Sequence, residues 1–387
     1  MPVIDHIADF ADDLKDWRRH LHSRPELGLE CHETAGFVAQ RLREFGITKI
    51  YEKIATSGIV AIVDGVSAGP TTGLRADMDA LPIQEETGTA YASKIPGRMH
   101  ACGHDGHTTM LLGAARYLAE TRNFSGQAAI IFQPAEEFGD GGKLMCDEGI
   151  MERFGIGQIF ALHTSPSFEA GTFAMRTGPV MASADTFEIR ITGKGGHGAF
   201  PYLAVDPVMA ALQLGQTLQT IVARNIRALD AVVVSVTQIH SGTTHNVIPE
   251  SAMLGGTVRS HSKDALSVVR RRMEEICGGI GATMGVSVEL EYIEGLPPTV
   301  NHPDQTAFAA EVAGEIAGPD RVITDIEPRM GGEDFSFMLE QRPGAFVFIG
   351  QGDGPFLHNP GFDFNDDIAP IGASYLSRIV ERGQPVA

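Results

Sequence analysis

The sequence predicts an α/β fold: a larger domain with a central, mostly parallel sheet flanked by helices, interrupted by a smaller α+β domain of ferredoxin-like pattern. Three observations predict it. Over the first 180 residues helix and strand signals alternate, as they do where crossover helices connect parallel strands. From residue 181 to 293 the texture changes to alternating strands broken by two helical stretches, a repeated strand–helix–strand passage. The chain is also 387 residues long, beyond the roughly 250–300 residues at which a single core stops growing. The expected division is therefore 1–180 with 294–387, and 181–293 inserted.

Each element has its own signal. Residues 5–22 carry Ile7, Phe10, Leu14, Trp17 and Leu21 at helical spacing. Thr34 to Phe45 reads as a helix closed by Gly46, and GIVAIVDG from Gly58 as a short buried strand. TTGLRADMD is a strand ending in acids, Gly106 to Glu120 a helix, GQAAIIFQPAEE a strand running into two glutamates, and QIFALHTS a strand running into a histidine. In open α/β sheets, sites form beyond the carboxyl ends of strands, so three strands ending in Asp, Glu or His point to one. In the insertion, DTFEIRITGKGG, AVVVSVTQIH, SAMLGGTVRSH and VSVELEYI are strands, with helices near 206–222 and 263–276. AFVFIG and a helix from Ile368 close the chain.

Composition excludes several classes of function. The 30 Lys+Arg against 49 Asp+Glu leave a net charge of −19, which argues against nucleic acid and anionic membrane as partners. No apolar run approaches about 18 residues, so no membrane span is expected. The acidic, amphipathic N-terminus is unlike a signal peptide. Cys31, Cys102, Cys146 and Cys277 do not make a disulfide framework, and the expected compartment is cytoplasmic.

The chemistry is concentrated in a few motifs. In MHACGHDGHTTM, Cys102 and His104 lie two apart just before a helix. Both are good ligands for a borderline divalent metal, and a helix N-terminus favours the thiolate that binding requires. His107 falls one turn on, better suited to a supporting or solvent role, and Asp105 suits a cap. In PAEEFGDGG, adjacent carboxylates after an apolar strand call for a cation, with Glu137 as ligand and Glu136 left to take a proton from water. His163 and His358 each follow an apolar stretch. Singly, each of these groups is more often structural. Together they make five ligands, more than one catalytic zinc takes, so a dinuclear site fits better. Asp77, in RADMDALP, suits the orientation of a ligand histidine through its second ring nitrogen. Asp79 follows it, and either acid could instead cap the loop that Pro82 closes.

RADMDALP, MHACGHDGHT, QPAEE, ALH, GKGGHGAFP, HNVIPESAMLGGTVRS and LHNP occur in the order and spacing of the N-acyl-amino-acid amidohydrolases. This group resembles the chain over its whole length; it includes the hippurate hydrolases and indoleacetyl–amino-acid hydrolases, a branch of the aminoacylase–carboxypeptidase metallopeptidases. The wider clan has His-x-Asp where this chain has Arg75-Ala-Asp77, which removes one histidine ligand and leaves the Cys102 pair to supply the difference.

The resemblance implies metal-dependent hydrolysis of the amide of an N-acyl-L-amino acid by a catalytic domain, with the insertion as lid and dimerisation domain. Two divalent ions per subunit, Mn or Zn foremost and Co or Ni as alternatives, would be held by Cys102, His104, Glu137, His163 and His358. Glu136 would be the general base and later proton donor, and Asp77 the orienting acid. His197, in a glycine-rich turn, would donate to the oxyanion, within its own subunit or, as in the wider clan, across to the partner subunit of a homodimer or dimer-based oligomer. Asn246 and Arg259 would bind the substrate carboxylate. The same site could serve a dipeptidase, a carboxypeptidase or an N-acetyl-diaminopimelate deacetylase. A Cys102 nucleophile, insensitive to chelation, is a further enzyme class, and a metal-free amino-acid-binding protein is the non-enzyme alternative.

Overall fold

The computed structural model describes residues 3–139 and 141–386. The described chain forms two compact units, Met1–Val180 with Val300–Glu327 and Asp334–Ala387, and Met181–Thr299 with Pro328–Glu333.

In the first unit an eight-stranded sheet runs in the order Lys49–Ile54, Gly58–Asp64, Ser125–Gln133, Ser67–Asp77, Ile156–Ser165, Gly344–Gly350, Phe173–Ala174, Val322–Ile323. The four strands from Ser125–Gln133 to Gly344–Gly350 are mutually parallel. The Lys49–Ile54 edge is antiparallel, as is the pairing of Gly344–Gly350 with Phe173–Ala174. Central strands covered on both faces need continuous apolar runs rather than alternation. Ile130, Ile131 and Phe132 are accordingly all buried, as are Phe346, Val347 and Phe348.

Helices cover the sheet. The His104–Thr121 helix is buried along most of its length and packs on Ala369–Gly383 and Ala11–His22. Leu111, Leu118 and Leu376 meet Leu74, Phe132, Phe160 and Val347 in one core. Burying each such side chain contributes about 1.5–3 kcal/mol. The N-terminal helical signal resolves into two pieces, Asp5–Ala8 and Ala11–His22. Phe10 leaves helical geometry between them (φ −120°, ψ 25°), and both Ile7 and Phe10 remain buried across the break.

In the second unit, strands Val232–Ser241, Ser251–Ser260, Ala184–Thr192 and Ser287–Leu296 lie in that spatial order, all antiparallel. With helices Pro207–Asn225 and Lys263–Met284 between them in sequence, this is the ferredoxin-like βαββαβ arrangement. Asp185, Phe187, Ile189 and Ile191 are buried at every second position, and the three apolar ones share a core with Leu214, Leu218, Val269 and Met273 from the helices. Asp206 caps the first helix through Val208 N at 2.8 Å, and Ser262 caps the second through Ala265 N at 3.2 Å.

That second helix runs to Met284, past the 276 expected from the sequence. Interior glycines cost up to about 1 kcal/mol each relative to alanine, and Gly278, Gly279 and Gly281 read as a stop. Burial of Ile276, Cys277 and Ile280 outweighs them, and left-handed Gly285 (φ 70°) ends the helix. The unit likewise continues beyond residue 293. Its last strand stays paired as far as Leu296 opposite Ala184, and Ala182 N donates to the carbonyls of Arg329 and Gly331 at 3.0 and 2.9 Å. Among the described residues no helix is long and apolar enough to cross a membrane.

Candidate metal centre

The parallel strands deliver their carboxyl ends to one end of the sheet, and a group of acidic and imidazole side chains gathers there. Strand Ser67–Asp77 supplies Asp77 and then Asp79. Strand Ser125–Gln133 is followed by left-handed Ala135 (φ 57°), which turns Glu136 and Glu137 back toward Asp79. The buried Asp79 carboxylate accepts the backbone N–H of Glu136 at 3.0 Å and of Glu137 at 3.2 Å. Strand Ile156–Ser165 carries His163 two residues before its end.

His104 opens its helix directly after Gly103, whose φ of 88° suits glycine alone; a Cβ there would sit 2.5 Å from Thr164 Cγ2. The His104 Nδ1–H donates to the Asp79 carbonyl at 2.9 Å. Its Nε2 therefore faces inward, 3.9 Å from each of Asp77 Oδ1, Glu136 Oε2 and Glu137 Oε1. Cys102 Sγ lies 3.6 Å from His163 Nε2, and the His163 Nδ1–H donates to the Thr164 carbonyl at 2.7 Å. His358, in left-handed conformation (φ 64°), brings Nε2 to 3.4 Å from Glu137 Oε1. Cys102, Glu137 and His358 offer ligand atoms within 4.8 Å of one another, as do His104, Glu136 and Glu137.

Two atoms test whether these residues fit a metal. His104 Nε2 and Glu137 Oε1 are buried without a hydrogen-bond partner, an arrangement that costs about 1–3 kcal/mol per group when left unmet. A cation at this point supplies the missing partner for both. Burial pushes the Cys102 thiol well up, with the Glu137 charge adding to it. Burial alone would lower His104, but the charge of Asp77 and the hydrogen bond to Asp79 carry it well above its ordinary value. Nitrogen, sulfur and carboxylate donors converging on one place suit a borderline divalent transition metal.

Of the residues singled out in the sequence, Asp77, Cys102, His104, Glu136, Glu137, His163 and His358 come together here. His197, Asn246 and Arg259 belong to the second unit. There His197 pairs with Val247, Gly198 N donates to the Asn246 carbonyl at 2.8 Å, and half-buried Arg259 lies opposite Val233 on the Ser251–Ser260 strand.

Asp77 is placed differently from the sequence reading. Its Oδ1 is 2.6 Å from His107 Nδ1, and its Oδ2 accepts from Arg75 Nη1 at 2.8 Å. Burial opposes its charge, but His104, His107 and Arg75 hold its carboxyl well below the usual range. Holding the second nitrogen of His104 falls to Asp79 instead. Arg75, buried where the wider clan has a histidine, also donates to Gln133 Oε1 and to Asp334 Oδ1, both at 2.9 Å. Asp334 in turn accepts the Gly142 N–H at 2.7 Å, beyond the two glutamates. These supporting roles had only weak sequence signals: an Asp two residues after another, and a His one helical turn past a ligand.

The chain is 38% identical to the hippurate hydrolase of Campylobacter jejuni, with 98% of each covered. It is 40% identical to an N-acetyl-L-cysteine deacetylase of Bacillus subtilis, over 93% of this chain and 85% of that protein. Its structure is similar to that of a dinuclear metal-binding M20-family peptidase of Bacillus subtilis, with TM-score 0.87 at 34% identity, covering 97% of this chain and 99% of that one. The family model described as peptidase family M20/M25/M40 matches residues 73–382. With the candidate metal-ligating side chains gathered near the strand ends, the chain belongs to peptidase family M20/M25/M40.

Proposed function

We propose that this protein hydrolyses the amide bond of N-acyl-L-amino acids of the hippurate, indoleacetyl or acetyl type, releasing a carboxylic acid and a free amino acid. The observation that carries the reading is the position of Glu136 beside two buried ligand atoms that make no hydrogen bond, His104 Nε2 and Glu137 Oε1. Cys102, His104, Glu137, His163 and His358 would hold two divalent ions, Mn²⁺ or Zn²⁺ foremost. Bound there, the ions supply the positive charge that acidifies water and polarises the acyl carbonyl.

Glu136 takes the proton from the attacking water and returns it to the departing amine. Its backbone is tied to Asp79, so the carboxylate is held near the reacting atoms without spending the reaction's free energy on ordering it. Asp77, charged and buried, keeps the surrounding imidazoles oriented. Arg259 and Asn246 bind the substrate carboxylate, and His197 donates to the oxyanion. A homodimer is supported by the edge strand Val232–Ser241, which leaves Val233 41% and Ile239 51% exposed, because a bare apolar edge invites pairing with another chain. We place the protein in the cytoplasm; its four cysteines are buried and unpaired.

The test is a panel of hippurate, indoleacetyl-, acetyl- and dipeptide substrates against Mn²⁺-reconstituted protein. Turnover of the N-acyl amino acids is expected. Inactivity across the panel sinks the reading.

A further inference from the structure

His107 is 1% exposed and takes part in none of the steps above. With Asp77, His104 and His163 it forms a group whose ligand atoms lie within 4.8 Å of one another, so it could be taken for a further metal ligand. Its hydrogen bonds argue otherwise. The Thr164 backbone N–H donates to His107 Nε2 at 2.8 Å. A peptide N–H can only donate, so Nε2 carries the lone pair and the ring proton sits on Nδ1, directed at Asp77 Oδ1 at 2.6 Å. Both nitrogens are committed, and neither is left for a metal.

The same two bonds lead to His163. The peptide that His107 grips is the one leaving His163, and the His163 ring donates from Nδ1 to the carbonyl of that same Thr164 at 2.7 Å. The two imidazoles are packed 4.3 Å apart, tilted by 56°. At its other end His107 is anchored by Asp77, which Arg75 holds at 2.8 Å, while Arg75 also holds Asp334. His163 is thus held at main chain and ring, with Nε2 turned toward Cys102 Sγ.

We propose that His107 is a positioning residue of the centre: the link through which Arg75 and Asp77 set the orientation of His163. The proposal rests on reading His163 as a metal ligand. Groups that orient a ligand in this way are worth about 10–100-fold in metal affinity or activity when removed.

Asparagine reaches only the Nδ1 position, where it can donate to Asp77. Glutamine reaches the Nε2 position, where it can accept from Thr164. His107→Asn and His107→Gln therefore each preserve one of the two bonds, and His107→Phe preserves neither. Wild type and the three variants are reconstituted with Co²⁺ and compared by elemental analysis at saturating metal, by affinity titration and by visible absorption.

All four should hold the same number of ions per chain at saturation. Affinity should fall about 10–100-fold in all three variants, with a displaced cobalt spectrum, because a link is severed by the loss of either bond. Loss of an ion at saturation in the variants makes His107 a ligand and overturns the proposal. So does wild-type affinity and spectrum in the Asn or the Gln variant, since either has lost one end of the link. If the Phe variant fails to fold, the Asn and Gln pair decides. Wild-type protein that takes up no Co²⁺ overturns the metal centre itself, and the positioning role with it; a wild type that binds Co²⁺ beside variants that fail the pattern overturns the role of His107 alone.

Discussion

His104 donates its Nδ1–H to the backbone carbonyl of Asp79 at 2.9 Å, and that bond leaves the other ring nitrogen facing inward, buried and without a hydrogen-bond partner. The Asp79 side chain adds the two N–H bonds from Glu136 and Glu137, so one residue organises both the imidazole and the paired carboxylates. In Asp79→Ala the two peptide N–H groups lose their acceptor, at about 1–3 kcal/mol each. A stability loss of about 2–6 kcal/mol is expected, read as a lower urea midpoint, together with reduced turnover. An unchanged midpoint refutes the assignment.

Glu136→Gln keeps the shape of the side chain and removes the base. General base catalysis contributes about 10²–10⁴-fold, so kcat should fall by at least that lower figure with metal content unchanged. Turnover near wild type in the metal-loaded variant ends the assignment of Glu136 as base.

Cys102→Ser replaces a soft thiolate donor with a hydroxyl that does not ionise near neutral pH. Metal affinity should drop, and elemental analysis after dialysis should find less metal than in the wild type. Equal stoichiometry and equal affinity would falsify a ligand role for Cys102.

Arg259→Ala tests binding more than chemistry. The chain carries a net charge of −19, so an anionic substrate depends on local cations. A hydrogen bond to a charged group is worth about 1.5–3 kcal/mol, which corresponds to a rise in KM of roughly 10–150-fold. A fall confined to kcat, with KM unchanged, contradicts carboxylate recognition by Arg259.

The buried His22 contributes a pH dependence of stability. Burial pulls its pKa down, but Asp105, 2.7 Å from Nδ1, and Glu85 at 3.3 Å carry it from 6.5 up to about 9. A raised folded-state pKa means the stabilisation is fully present below pH 6.5 and is lost as pH rises through about 9. His22→Gln should therefore lose stability near neutral pH and show a flatter decline between pH 6.5 and 9.5 in urea midpoints. Parallel profiles for wild type and variant count against a charged His22.

Much of the site was legible in the chain itself. Strand patterning placed Asp77, Glu136 and His163 near strand ends, where the structure has them, and the Cys102-x-His104 and Glu136-Glu137 pairs named the donors that the structure gathers, because element type and donor chemistry follow from neighbouring residues. The tertiary structure decided which groups meet. It gave the His104 tautomer to Asp79 rather than Asp77, turned Asp77 toward His107 and Arg75, and carried a helix through Gly278 and Gly279 to Met284. Those outcomes depend on hydrogen-bond distances between atoms far apart in sequence, and on burial that overrides local propensity. Neither quantity is contained in the spacing of residues along the chain.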